Sequence, residues 1–443
     1  MGLILLGLIL LFEIAYAVYC MATKTIHTRL RASVRIAGGV MLVILLLTPA
    51  AQWSFRWVLP ALLLLLLTGR AAYSLARQRA DQALYRPVRI LMKAFTMIVL
   101  SFIAFAPLIV FPPYTPPRTT GEYAISTETH TFTDEDRLDP FASGGKKRFV
   151  NVQFWYPRTD DGSFPLLVFS HGANGIKASN ASTFRELASH GYVVCSIDHP
   201  HHALYSVSED GERTFIDQSY LKEVQDANQD GIYTTEQVYG LIQKWMRLRT
   251  DDMDFVIDTV LAASQGDGAS VYSHIDASRI GVFGHSMGGA ASVWVGRERS
   301  DVDAVVNLDG PMFSELTYDS ASGDFKASGK PYATPLFNLY SDDVWGQLQS
   351  NSTYAGNAAA DRNAADMRTV HFKGAKHLSF TDLSMVSPLL ANLLQGGEAA
   401  VDAKACLETE NRLILQFFDE VLKGKGRFAP EADYGPELAD RNS

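Results

Sequence analysis

The sequence predicts an α/β fold, a mostly parallel β-sheet covered by helices on both faces, preceded by four membrane-spanning helices. Three observations lead there. Four apolar runs long enough to cross a bilayer follow one another in the first 111 residues. Beyond residue 121, β-rich apolar runs alternate with helical ones, the pattern of a sheet buried on both sides. One of those runs ends in Gly284-His285-Ser286-Met287-Gly288 and opens into the small-residue stretch "GGAASVWVG". The 443 residues are too many for one compact core. They divide into a spanning region at 1–111, a Pro-rich linker at 112–121 and a second domain at 122–443.

The apolar runs cover about 2–22, 34–51, 57–74 and 90–111. The first lacks a basic n-region and is followed by three more, so it reads as a span rather than a cleavable signal. Glu13 and Asp81 are the only carboxylates before residue 112. Glu13 falls at mid-span, where an ionised side chain is costly without a partner, and a buried interhelical hydrogen bond is expected there. The loop after the first run holds Lys24, Arg29, Arg31 and Arg35; the loop after the third holds Arg70, Arg77, Arg79, Arg86, Arg89 and Lys93; only Arg56 lies between the second and third. The positive-inside rule then puts both basic loops in the cytoplasm and everything after the fourth span outside. "FPPYTPPRTTG" at 111–121 carries four prolines, which suit a stiff extended spacer. The net charge of −9 resides in the second domain and argues against a nucleic-acid partner.

Strands are expected at 148–157, 164–172, 191–200, 279–286, 302–310, 334–343 and 368–377, with helices near 181–190, 237–263 and 406–423. In this setting Gly284, Ser286 and Gly288 form a nucleophile elbow, a strained strand-to-helix turn that exposes a serine hydroxyl. The helix N-terminus after it favours developing negative charge. Serine needs a base oriented by a carboxylate, and in the α/β-hydrolase order these follow as Asp and then His. His377 comes after the last strand, where the base belongs. His27, His130, His274, His285 and His371 lie in a membrane loop, before the sheet, beside the nucleophile strand or within a strand. For the acid, Asp309 ends one strand and Asp342 and Asp343 end the next; spacing does not choose among them. An oxyanion hole needs two preorganised N–H groups, expected from Met287 and from Ala173 in the turn "SHGAN".

No metal or cofactor is called for. Cys20, Cys195 and Cys406 suggest neither a disulfide framework nor a metal site. "DHPHH" at 198–202 is read as a loop bordering the site rather than a metal site. "DANQDGIYTTEQ" at 226–237 partly matches a calcium loop, but position twelve is Gln237 and Glu236 stands one place early, so a polar turn is expected.

At these residues the chain resembles the plasma-type platelet-activating-factor acetylhydrolases, a lipase branch of the α/β-hydrolases. The likeness spans about 121–425 and rests on "LLVFSHGANG", "ELASHGYVVCSIDHP", "RLRTDDMDFVIDTV", "RIGVFGHSMGGA", "VVNLDGPMF" and "GAKHLSFTD". "GHSMGG" by itself is also similar to cutinases and other esterases. The resemblance implies Ser286 as nucleophile, Asp309 as acid, His377 as base, and Ala173 and Met287 as oxyanion donors. The spans and the triad together read as a membrane-anchored serine hydrolase that needs no cofactor, and the resemblance implies a phospholipid or similar ester with a short acyl chain as its substrate. A cutinase-like or general carboxylesterase is the alternative among enzymes, and a catalytically silent membrane-bound binding module the alternative outside them. The four spans, the "DHPHH" loop and an acidic insert at about 205–236 depart from the family. Nothing in the sequence speaks to oligomeric state.

Overall fold

The computed structural model describes residues 2–48, 53–77, 85–266 and 270–435. They form two compact units, one of residues 1–114 with 386–389 and one of residues 115–385 with 390–443. Arg79 and Asp81, counted above, lie outside the described residues.

The first unit holds α1 (Gly2–Thr23), α2 (Thr28–Leu47), α3 (Val58–Ala76) and α4 (Pro87–Val110). All four are long and apolar enough to cross a membrane. Pro87 occupies the first turn of α4, where its missing N–H costs no hydrogen bond. Large side chains such as Leu3, Leu66 and Phe95 point outward, the reverse of a water-soluble bundle.

Two expectations change here. Arg29, Arg31 and Arg35 are residues of α2, Arg70 of α3, and Arg89 and Lys93 of α4, none of them in a loop. Glu13 is buried against two of them, accepting from Arg31 Nη2 and, at 3.1 Å, from Arg35 Nη2. The predicted interhelical contact is thus an ion pair with two guanidiniums, and two of the four charges assigned to the first basic loop are spent inside the bundle.

The second unit is built on a nine-stranded sheet: β1 (Ile125–Leu138), β2 (Lys147–Pro157), β3 (Phe164–Ser170), β4 (Val193–Asp198), β5 (Ile275–His285), β6 (Ala304–Leu308), β7 (Leu336–Ser341), β8 (Met367–Phe372) and β9 (Asp433–Tyr434). The spatial order is 1-2-4-3-5-6-7-8-9. β2 is antiparallel to β1 and β4, and all other pairings are parallel. Period-two alternation sends Leu166, Val168, Ile280 and Val282 to one face and Leu167, Phe169 and Phe283 to the other. The first face is covered by α6 (Thr235–Ser264) and α7 (Met287–Glu298), the second by α5 (Ala181–Ser189) and α8 (Ala403–Lys423). Both faces are buried, so the central strands read as unbroken apolar runs.

The strands from β3 onward run parallel, so their C-terminal ends meet at one edge of the sheet. β1 is not among the strands expected from the sequence. "ISTETHTFTDEDRL" is polar and half exposed because the strand pairs on one side alone, with β2. His130, placed before the sheet, lies within β1.

Candidate active site

Ser286 sits between the last residue of β5 and the first of α7 with φ 55° and ψ −122°. A non-glycine residue enters this region only at an energetic cost, which the surroundings must offset. Ser286 N donates to Leu308 O on β6 at 2.8 Å, and Ala290 N donates to Ser286 O at 3.0 Å. Close packing explains the flanking glycines. A Cβ at Gly284 would lie 2.3 Å from the Gly288 backbone, and one at Gly288 would lie 1.9 Å from the Ser170 carbonyl oxygen.

Asp309 directly follows β6 with φ 58° and is fully buried. Its carboxylate accepts from Ser341 N and Ser341 Oγ, each at 2.7 Å, and faces His377 Nδ1 at 2.7 Å. An ionised carboxylate can only accept, so this contact puts the ring proton on Nδ1 and leaves Nε2 as an acceptor. The His377 side chain remains 33% exposed.

The loop carrying His377 is held by the two other aspartates that spacing allowed. Asp343 accepts from His377 N at 3.1 Å and pairs with Lys376 at 3.3 Å. Asp342 accepts from Gly374 N at 2.8 Å and pairs with His371 at 2.8 Å. A residue set aside from sequence also contributes: His285 Nε2 donates to the His377 carbonyl at 2.9 Å, with the rings 4.6 Å apart.

Ser286, Asp309, His377, Ala173 and Met287 all line one cavity of about 350 Å³. Its apolar wall comes from Val224, Val238, Ile242, Trp245 and Phe313. Val224 belongs to a helix at Gln218–Ala227, so the acidic segment at about 205–236 helps to shape the cavity.

Behind the cavity is a buried polar layer that sequence reasoning missed. His199 Nδ1 donates to Asp252 Oδ2 at 3.0 Å, and its Nε2 faces Ser170 Oγ at 2.9 Å. Arg148 Nη2 donates to Asp252 Oδ2 at 2.6 Å. Ser170, His199 and Asp252 therefore form a hydrogen-bonded serine, histidine and aspartate set of their own, but all three are buried and none lines the cavity. This corrects the view of "DHPHH" as a loop bordering the site. His199 and His202 are interior, His202 stacking on Tyr220 at 3.7 Å. The only hint in the sequence was "RLRTDDMD", whose Arg249 and Asp252 lie one turn apart on α6. Among the described residues, no three His, Cys, Asp or Glu side chains group as a metal site. In the 226–237 segment, Gln237 and Thr234 cap α6 reciprocally, Thr234 N donating to Gln237 Oε1 at 2.9 Å.

Burial holds His171 and His202 well below the ordinary histidine range and pushes His199 down to about 4. Burial, then the neighbouring His377, pushes His285 down to about 3. A ring neutral in the folded protein takes up its proton in the unfolded chain, below about pH 6.5. Its stabilisation is complete above that pH and is lost as pH falls toward the folded value. Other buried groups titrate in the same range, so a difference isolates the effect. The stability advantage of the wild type over His285→Gln should shrink between pH 7 and 4, by up to about 1.4 kcal/mol per pH unit. A gap that stays constant in pH-resolved denaturant melts would show that His285 takes up its proton as readily in the folded protein as in the unfolded chain.

The family model for platelet-activating factor acetylhydrolase, isoform II, matches residues 149–433. The chain is 24% identical to platelet-activating factor acetylhydrolase from Bos taurus over 279 residues, 58% of this chain and 57% of that protein. It is 26% identical to cutinase cut1 from Thermobifida fusca over 242 residues, 54% of this chain and 61% of that protein. The alignments thus span somewhat over half the length of these relatives. A ferulic acid esterase from Streptomyces cinnamoneus shares the fold with a TM-score of 0.55 and 21% identity, covering 71% of this chain and 96% of that one.

Proposed function

The chain belongs to the platelet-activating factor acetylhydrolase, isoform II, family, and from that premise we propose that it is a membrane-anchored serine hydrolase of short-acyl lipid esters. The observation that carries this reading is that Ser286 and the hydrogen-bonded His377–Asp309 pair open onto one cavity, also lined by Ala173 and Met287. Ser286 Oγ attacks the ester carbonyl carbon while His377 Nε2 takes its proton. The N–H groups of Ala173 and Met287 bind the oxyanion. As the ester bond breaks, His377 returns the proton to the leaving alcohol and an acyl-Ser286 remains. Water, deprotonated by the same nitrogen, releases the carboxylic acid and restores the serine. Asp309 stays ionised and holds the imidazolium. No step calls for a cofactor.

A cavity of about 350 Å³ lies at the small end of the roughly 300–1,000 Å³ common for ligand pockets. Its apolar wall suits a short acyl chain. Four helices able to span a bilayer would keep the site beside lipid substrate and raise its effective concentration. Lys24 with Arg29, and Arg70, Arg77, Arg86, Arg89 and Lys93, still favour a cytoplasmic side for the two basic joins, which leaves the hydrolase unit outside.

Turnover should be fastest on acetyl to butyryl esters and fall steeply with longer chains. A flat profile across chain lengths would favour the general carboxylesterase, which the cutinase likeness also supports. A membrane-impermeant fluorophosphonate should label Ser286 in intact cells. Labelling only after lysis would reverse the orientation, and no labelling at all would favour a silent binding module.

A further inference from the structure

The turn that carries Ala173 is gripped from behind by one buried arginine. Arg249, on α6, is fully buried. Its Nη1 donates to the His171 carbonyl at 2.5 Å and to Ser170 Oγ at 3.3 Å, and its Nη2 donates to the Gly172 carbonyl at 3.3 Å. The Gly172 carbonyl receives two further donors, Gly175 N at 3.1 Å and His171 Nδ1 at 2.7 Å. Gly172 C=O and Ala173 N–H belong to the same planar trans peptide, so they point in opposite directions. Fixing the carbonyl toward the interior therefore fixes the N–H away from it.

The charge placement is unusual. Among the described residues Arg249 forms no ion pair, and the nearby carboxylate, Asp252, is already engaged by Arg137, Arg148 and His199. A buried guanidinium without a counter-ion is costly. The cost is reduced when negative charge appears nearby, and a tetrahedral oxyanion is such a charge.

We propose that Arg249 is a positioning residue for ester hydrolysis, orienting and polarising the Gly172–Ala173 peptide so that its N–H binds the oxyanion. This rests on the assignment of Ser286 and Ala173 under Proposed function. The effect grows with charge on the substrate oxygen, so it favours the transition state over the bound ester. Polarisation passes through the peptide, since a donor on its carbonyl strengthens its N–H as a donor. The same layer supports the other oxyanion arm, Tyr220 Oη lying 3.3 Å from Met287 Sδ.

The test compares wild type with Arg249→Met and Arg249→Lys on a soluble acetyl ester, with folding checked by thermal melting. A trifluoromethyl ketone, which adds to a nucleophilic serine as an oxyanion, serves as transition-state analogue. Removing a direct oxyanion donor costs about 10²–10³ in kcat, so Arg249→Met should lose about 100-fold. KM should stay within about threefold, while affinity for the ketone falls in parallel with kcat. Arg249→Lys, which keeps the charge but not the fork, should recover part of both. A folded Arg249→Met with wild-type kcat, or one that loses kcat without losing ketone affinity, overturns the proposal. Should Arg249→Met not fold, Arg249→Lys decides: parallel loss of kcat and ketone affinity supports it, and wild-type values overturn it. If wild type itself fails to react with fluorophosphonate, the serine-hydrolase reading has failed instead.

Discussion

Ser286→Ala should lower kcat by about a millionfold, the loss seen when the serine of an established serine-hydrolase triad is removed. The hydroxyl holds no helix cap, so its removal leaves the turn intact. The strained backbone angle is no worse for alanine than for serine. Melting temperature should therefore be unchanged, as should KM for a soluble short-chain ester. Residual turnover of about 10³–10⁴ over water should remain, because the oxyanion donors do not depend on the serine side chain. Activity above a few per cent of wild type, in protein free of wild-type contamination, would assign the nucleophile elsewhere. Ser170 cannot take over, since its hydroxyl is buried and donates to His199.

The second large effect is expected at Asp309. Replacement by asparagine swaps a carboxylate oxygen for an amide that can donate, and Nδ1 of His377 would then turn its lone pair toward it. The ring proton would move to Nε2, where no proton can be accepted from Ser286. The equivalent change in a serine protease costs about 10⁴ in kcat. Asp343→Asn and Asp342→Asn touch the loop, not the ring, because their carboxylates accept the backbone N–H groups of His377 and Gly374. Each should cost roughly tenfold or less. All three variants should be compared at pH 8 on a soluble ester, with folding verified. An inactive Asp343→Asn beside an active Asp309→Asn would move the acid to the end of β7.

The elements legible in the sequence were those whose cause is local. β3, β5 and β6 are apolar on both faces, and the elbow glycines are required by contacts with the adjoining backbone, so composition alone betrays them. β1 escaped notice because one side of it is solvent and its residues are polar. The choice among Asp309, Asp342 and Asp343 could not come from spacing, since β6 and β7 end at the same edge of the sheet. The resemblance pointed to Asp309, and in the structure it is Asp309 that faces the His377 ring, at 2.7 Å. The polar layer behind the cavity was hidden for the same reason. His199 is satisfied by Asp252, 53 residues further on, and a polar residue in sequence does not announce whether a distant partner will allow its burial. In α2, Arg31 and Arg35 read as loop charges in sequence because their partner, Glu13, lies on another helix.

Ser170, His199 and Asp252 carry a lesson about how hydrolases are recognised. A search for a serine, a histidine and an aspartate joined by hydrogen bonds would return this set. Ser286, His377 and Asp309 open onto a cavity, and this set is closed on every side and overlaid by a guanidinium. The same three residue types therefore occur in an arrangement that opens onto a cavity and in one that serves as masonry. The discriminating property is a route of entry, and surveys that score geometry without access will count such interiors as enzymes.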